Sequence, residues 1–219
     1  MNKFHFQLVE QISMLSNSDE EVIIFFHGLG ATNDDLVPVF QMMKSKVPQK
    51  NIGAVFVQAP IQPCKIFGGE PLPCWFDVES LEDIMSNNWI GLEEIVLSLL
   101  QLIRDIKSLY PNILKISLAG FSQGGVVAQK ISEKISCESL ILMSTFAAQP
   151  ISPMSIKKCF IGHGLMDQVV GIMYGRQLSQ VMEERALSDG FVIKYQEYTF
   201  LPHSICPEEI DDIASFSFL

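Results

Sequence analysis

Apolar residues along this chain come in two rhythms, and the two alternate. Short runs rich in β-branched and aromatic residues read as strands: "EVIIFFHG" at 21–28, "AVFVQAP" at 54–60, "LKISLAG" at 114–120, "SLILMST" at 139–145, "KKCFIGHG" at 157–164 and "FVIKYQEY" at 191–198. Between and after them lie segments of helical period at 33–46, 89–109, 123–134, 170–189 and beyond Pro207. The clearest is 89–109, where Leu92, Ile95, Val96, Leu99, Ile103 and Ile106 share one face and Glu93, Glu94, Arg104 and Asp105 lie opposite. Strand and helix in alternation predict an α/β fold, a mostly parallel central sheet with helices on both faces. "FHFQLVE" at 4–10 alternates apolar and polar residues and predicts an extra edge strand.

One stretch breaks the alternation. Residues 59–80, "APIQPCKIFGGEPLPCWFDVES", hold four prolines and a glycine pair, and read as a long structured loop. Such a loop serves either a functional site or the covering of a sheet edge. No internal repeat, low-complexity tract or linker divides the 219 residues, so residues 1–219 are expected to form a single domain.

Charge and cysteine content remove several function classes. The net charge is −10, and the 15 Lys and Arg are scattered, which argues against nucleic acid as a partner. "MNKFHFQLVEQISM" lacks the apolar core and cleavage site of a secretory signal, and no apolar run is long enough to span a bilayer. Five cysteines without CxxC spacing suit free thiols in a reducing compartment, so a cytoplasmic location is expected. No nucleotide or metal spacing occurs, so neither cofactor nor metal is expected. Transient contact with a membrane and a homodimer both stay open.

The candidate chemistry begins at "LAGFSQGG", residues 118–125. Gly120, Ser122 and Gly124 spell GxSxG between a predicted strand and a predicted helix, the context in which a sharp turn pushes a serine hydroxyl out beyond the sheet. The helix that follows aims its first amides at the place where a tetrahedral oxyanion would form. A serine hydroxyl is a poor nucleophile unless a histidine takes its proton and a carboxylate holds that histidine.

Of the four histidines, His5 reads as a surface residue, while His27 and His163 close strands and read as structural. His203 lies in the loop before the last helix, and the order nucleophile, acid, base leads from Ser122 to His203. Asp167 sits between them, just past a strand's carboxyl end, where open α/β sheets gather reactive groups. Asp34, Asp35 and Asp77 precede the serine, and Asp189 reads as a helix-end residue.

"HGLG", "QAP" followed by "GG" and "WFD", "GFSQGG", "GHGLMDQVV" and "LPH", taken in order from residue 22 to 203, resemble the signature blocks of the acyl-protein thioesterase and carboxylesterase (lysophospholipase-like) family. The resemblance implies the α/β-hydrolase fold and hydrolysis of carboxylic esters and thioesters, with acylated proteins and lysolipids among the substrates. It makes Ser122 the nucleophile, Asp167 the orienting acid and His203 the base, and it assigns the oxyanion hole to the backbone N–H groups of Leu29 and Gln123. The sequence departs from the family pattern at "ATNDD" after the first block, at "YTFLPHSIC" and at "PCKI".

Ile66, Phe67, Leu72, Trp75 and Phe76 in the 59–80 loop either wall the acyl chain or pin the loop to the core. The alternatives to an ester or thioester hydrolase are a non-catalytic binding module on the same fold, a lysophospholipase, and a peptidase or dienelactone-type hydrolase. Dienelactone hydrolases carry cysteine where Ser122 stands. Cys64, Cys74 and Cys206 lack the strand-to-helix turn that would make one of them a nucleophile.

Overall fold

Strand β2 (Glu21–Phe26) is buried at every residue and shows how the chain is layered in the computed structural model, which describes residues 4–79 and 89–219. Val22, Ile24 and Phe26 point into one apolar core, and Ile23 and Phe25 into a second on the other side of the sheet. A strand that buries both faces belongs inside a parallel sheet covered by helices. β2 pairs in parallel with β3 (Ile52–Val57) and β6 (Lys115–Phe121). Beyond β6 follow β7 (Ser136–Met143), β8 (Ser155–Gly164) and β9 (Val192–Tyr198), each parallel to its neighbour.

The seven-stranded order is β1-β3-β2-β6-β7-β8-β9, and β1 (Ile12–Met14) runs antiparallel at one edge. Helix α1 (Val37–Lys46) and α5 (Pro207–Phe218) cover the face holding Phe25 and Phe56. Helices α2 (Leu92–Leu109), α3 (Gln123–Ser132) and α4 (Ile172–Asp189) cover the face holding Phe26 and Leu118. In α2 the expected apolar residues are buried, joined by Ser98 and Leu102, and the helix starts at Leu92 rather than at 89.

Two expectations are corrected. Residues 4–10 do not form the edge strand: Phe6 is buried against Trp75, Leu8–Glu10 is a 3-10 turn, and the edge position goes to Ile12–Met14. The hydroxyl of Ser98 on α2 donates to the carbonyl of Phe4, so a helix side chain occupies a backbone group that a sheet ladder would have used. The 59–80 stretch is not all loop. Ile61–Cys64 (β4) and Glu70–Pro73 (β5) pair as an antiparallel hairpin, with Gly68 and Gly69 at positive φ in its turn. Residue 80 lies outside the described residues.

Helix α5 touches β8 through an acid. The carboxyl of Glu209 is fully buried against Gly162, and neither of its oxygens is in a hydrogen bond of normal geometry. Burial pushes its pKa up to about 8; Asp212 adds to the effect and the Cys206 amide opposes it only in part. The folded state therefore holds a proton that the unfolded chain loses above the ordinary glutamate range, and this group's contribution to stability declines as pH rises from about 4.5 to about 8. Glu209→Gln is expected to remove that decline. Urea unfolding at pH 5 and pH 8.5 should show the variant gaining roughly 2–4 kcal/mol on the wild type between the two; parallel behaviour would rule the buried acid out as its source.

Candidate active site

Carboxyl ends of the parallel strands supply the site. At the end of β6 the chain turns through Ser122, at φ 52 and ψ −121, and enters α3 at once. That backbone is unfavourable for any residue with a side chain, and the surroundings hold it. The Ser122 N–H donates to the carbonyl of Met143 (3.0 Å). Its carbonyl accepts from the Gly125 N–H (2.9 Å) and the Thr145 hydroxyl (2.6 Å).

The loop after β8 presents Asp167. Its Oδ1 accepts from the N–H groups of Val169 (2.9 Å) and Val170 (2.8 Å), and its Oδ2 from Nδ1 of His203 (2.7 Å). Burial alone would raise the pKa of this carboxyl, but the hydrogen bonds from His203, Val170 and Val169 outweigh it and hold the group below the ordinary aspartate range. Asp167 is thus an anion whose remaining oxygen fixes the His203 tautomer, with the proton on Nδ1 and the lone pair on Nε2.

His203 stands on the loop between β9 and α5, its ring 4.7 Å from that of Phe121 and its side chain partly open to solvent. His203 and Ser122 line the same cavity, and among the described residues no hydrogen bond joins them. Catalytic hydrogen bonds are often long before substrate arrives and close in the substrate complex.

His27 and His163 have partners of their own. The Ala59 N–H donates to His27 Nε2 (3.0 Å), which leaves Nδ1–H to donate to the Gly28 carbonyl (2.7 Å). His163 Nε2 lies 2.7 Å from the Val170 carbonyl, while its Nδ1 is buried without a partner. Burial lowers the pKa of both rings, so both are neutral supports of the loops beside them.

Leu29 follows the His27–Gly28 turn and lines the cavity. Gln123 opens α3, where a backbone N–H has no partner within the helix. The Gln123 side chain does work that sequence reasoning missed. Its Oε1 accepts from the Trp75 N–H (2.9 Å) and its Nε2 donates to the Phe76 carbonyl (2.7 Å), tying the segment after β5 to the turn that carries Ser122. An amide side chain directly after the serine, at a position buried by the helix, is the signal that could have found it.

The cavity measures about 280 Å³ and is mainly apolar, walled by Ile66, Phe67, Phe76, Val78, Phe146 and Val170. Leu72 and Trp75 are not among its lining residues. Leu72 stands on β5, and Trp75 is wholly buried, its indole N–H donating to the His27 carbonyl (2.7 Å). The pinning alternative holds for Trp75, because its ring also packs on Phe6 and Phe26. Cys64 and Cys74 are buried, and burial raises both thiols, Cys74 to about 12; burial raises Cys206 as well. None is poised as a thiolate. Among the described residues no cluster of side chains could hold a metal ion.

A doubly covered parallel sheet, a serine on a strand-to-helix turn and an Asp–His pair on the loops beyond it are the arrangement of an α/β hydrolase acting on ester bonds. The chain belongs to the phospholipase/carboxylesterase family, which matches residues 9–217. It is similar to acyl-protein thioesterase 1 of Mycosarcoma maydis, 30% identical over 213 residues that cover 89% of this chain and 88% of that protein. Acyl-protein thioesterase 1 of Cryptococcus neoformans var. neoformans serotype D is 29% identical over 218 residues, covering 89% of this chain and 90% of the relative. In fold it resembles the crystal structure of Zea mays acyl-protein thioesterase 2, with a TM-score of 0.70 at 21% identity over 90% of this chain and 92% of that one.

Proposed function

We propose that this chain is a serine hydrolase of acyl thioesters and carboxylic esters that works through an acyl-enzyme on Ser122. The observation that carries this is the hydrogen bond from His203 Nδ1 to Asp167 Oδ2, with His203 and Ser122 both lining one apolar cavity. Swinging of the imidazole toward Ser122 brings Nε2 to the hydroxyl. The serine oxygen then attacks the acyl carbon as Nε2 takes its proton.

The charge that develops on the carbonyl oxygen is met by the N–H groups of Leu29 and Gln123; one such donor is typically worth about 10²–10³ in turnover. Asp167, held ionised by its amide donors, stabilises the imidazolium. As the tetrahedral species collapses, the bond to sulfur or alkoxy oxygen breaks and the leaving group receives the proton from His203. Water enters with His203 as base, and the same steps release the carboxylic acid.

The names of the similar proteins support an acylated protein as substrate, and the apolar cavity supports a hydrocarbon acyl group. The five unpaired cysteines fit a reducing, cytoplasmic setting. Among the described residues no helix is long and apolar enough to cross a membrane.

A fluorophosphonate probe is expected to label the wild type at Ser122, and the protein to hydrolyse an acyl thioester and p-nitrophenyl acetate. Wild-type protein that takes no label and turns over neither compound would point instead to a binding module. Preferential turnover of lysophosphatidylcholine would move the assignment to a lysophospholipase.

A further inference from the structure

The cavity beside Ser122 is walled in part by aromatic rings. Phe76 and Phe146 line it, and the Trp89 ring packs against both, at centroid distances of 5.3 and 6.1 Å. Trp89 also lines a second cavity, of about 510 Å³, together with Leu92 and Val96 of α2 and Pro150. One indole thus touches the wall of the first cavity and forms part of the wall of the second. Its Nε1 is buried and without a hydrogen-bond partner, so packing alone sets the position of the ring among the described residues.

The second cavity has little to offer an ionic ligand. Its charged lining is Glu93 and Glu133 against Lys130 and Lys134, and Lys130 already pairs with Glu133 at 2.8 Å. Leu92, Val96 and Pro150 instead present hydrocarbon, which suits the continuation of an aliphatic chain.

We propose that Trp89 sets the length of acyl chain this enzyme accepts, by backing Phe76 and Phe146, which wall the Ser122 cavity, and so separating that cavity from a second, largely apolar one that the indole itself lines. This rests on the acyl group lying in the first cavity while it is bonded to Ser122. A chain that ends before the Phe76 and Phe146 rings is accommodated as the structure stands. A longer one must fold back or push Phe76 or Phe146 aside, into the space the indole fills, and otherwise its last methylenes stay in water. Each methylene that is buried is worth about fourfold in affinity, so added room behind Phe76 and Phe146 changes preference steeply with length.

The test is a series of straight-chain acyl thioesters, from butanoyl to hexadecanoyl, held below their micelle concentrations and assayed with the wild type and Trp89→Ala. Butanoyl turnover is expected to change little. For chains longer than the wild-type optimum, kcat/KM relative to that optimum should rise roughly tenfold or more in the variant, mostly through a lower KM. Trp89→Leu, which narrows the side chain but keeps it apolar, should show the same shift and serves if the alanine variant does not fold. A variant profile that superimposes on the wild-type profile, or is merely scaled down, overturns the role of Trp89 and leaves the acyl-enzyme on Ser122 standing. A wild type inactive across the whole series overturns both.

Discussion

Replacing Ser122 with alanine is expected to lower kcat/KM on an acyl thioester by roughly 10⁵–10⁶-fold, down to what the cavity and amide donors can do alone. The fold should survive, because the hydrogen bonds that hold residue 122 come from its backbone: its N–H to Met143 and its carbonyl to Gly125 and Thr145. Ser122→Gly separates chemistry from strain. At φ 52 and ψ −121 a side chain costs about 1–3 kcal/mol that glycine avoids, partly offset by the freedom glycine gains in the unfolded chain. Denaturant unfolding should therefore place Ser122→Gly about 1 kcal/mol above Ser122→Ala, with both variants inactive. Thioesterase activity persisting in Ser122→Ala would put the nucleophile elsewhere.

Gly124→Ala should be among the most damaging single changes in the chain. A Cβ at this position would overlap the carbonyl oxygen of Phe26 and come within 2.6 Å of that of His27. The Phe26 carbonyl cannot retreat, since β2 is hydrogen-bonded to β3 on one side and β6 on the other, and the His27 carbonyl is held by the Trp75 indole N–H. The helix cannot retreat cheaply either, because Gln123, one residue earlier, is bonded to Trp75 and Phe76. A loss of roughly 3–5 kcal/mol in unfolding free energy is expected, with activity falling alongside it. Gly171→Ala is the control: its Cβ would meet nothing within 4 Å and its φ is −54, so stability should stay within about 0.5 kcal/mol. Wild-type stability and activity in Gly124→Ala would mean that the close approach of α3 to β2 is not required.

The layering was readable from the sequence because burial on both faces forces a strand such as β2 to be apolar throughout, while α2 must keep a polar side. The partnership of Asp167 and His203 was readable from chain order, because in an α/β sheet the loops past the strand ends meet in space however far apart they lie in sequence. The hairpin inside 59–80 was not. Pro63, Pro71 and Pro73 mask a strand pattern, and a two-stranded ribbon tolerates them because many of its backbone donors need no partner. Nor was the division among the aromatic residues legible. Composition cannot tell Trp75, buried behind the site, from Phe76, which lines it, although the two are adjacent. The start of the chain misled for a similar reason: Phe4 and Phe6 alternate as a strand would, yet Phe6 is buried against Trp75, while Phe4 is only partly buried and its carbonyl is taken by Ser98 of α2.

The Gln123 side chain gives this architecture a constraint on its diversification. The residue whose main chain is proposed to receive the negative charge also grips, through its amide, the segment that shapes the hydrocarbon wall. Selectivity and rate are therefore not separate modules that evolution or engineering can exchange one at a time. Remodelling the Trp75–Phe76 segment for a different acyl group pulls on the electrostatic machinery as well, so new specificities are easiest to reach at walls such as Val78 and Phe146, which hold no bond to Gln123.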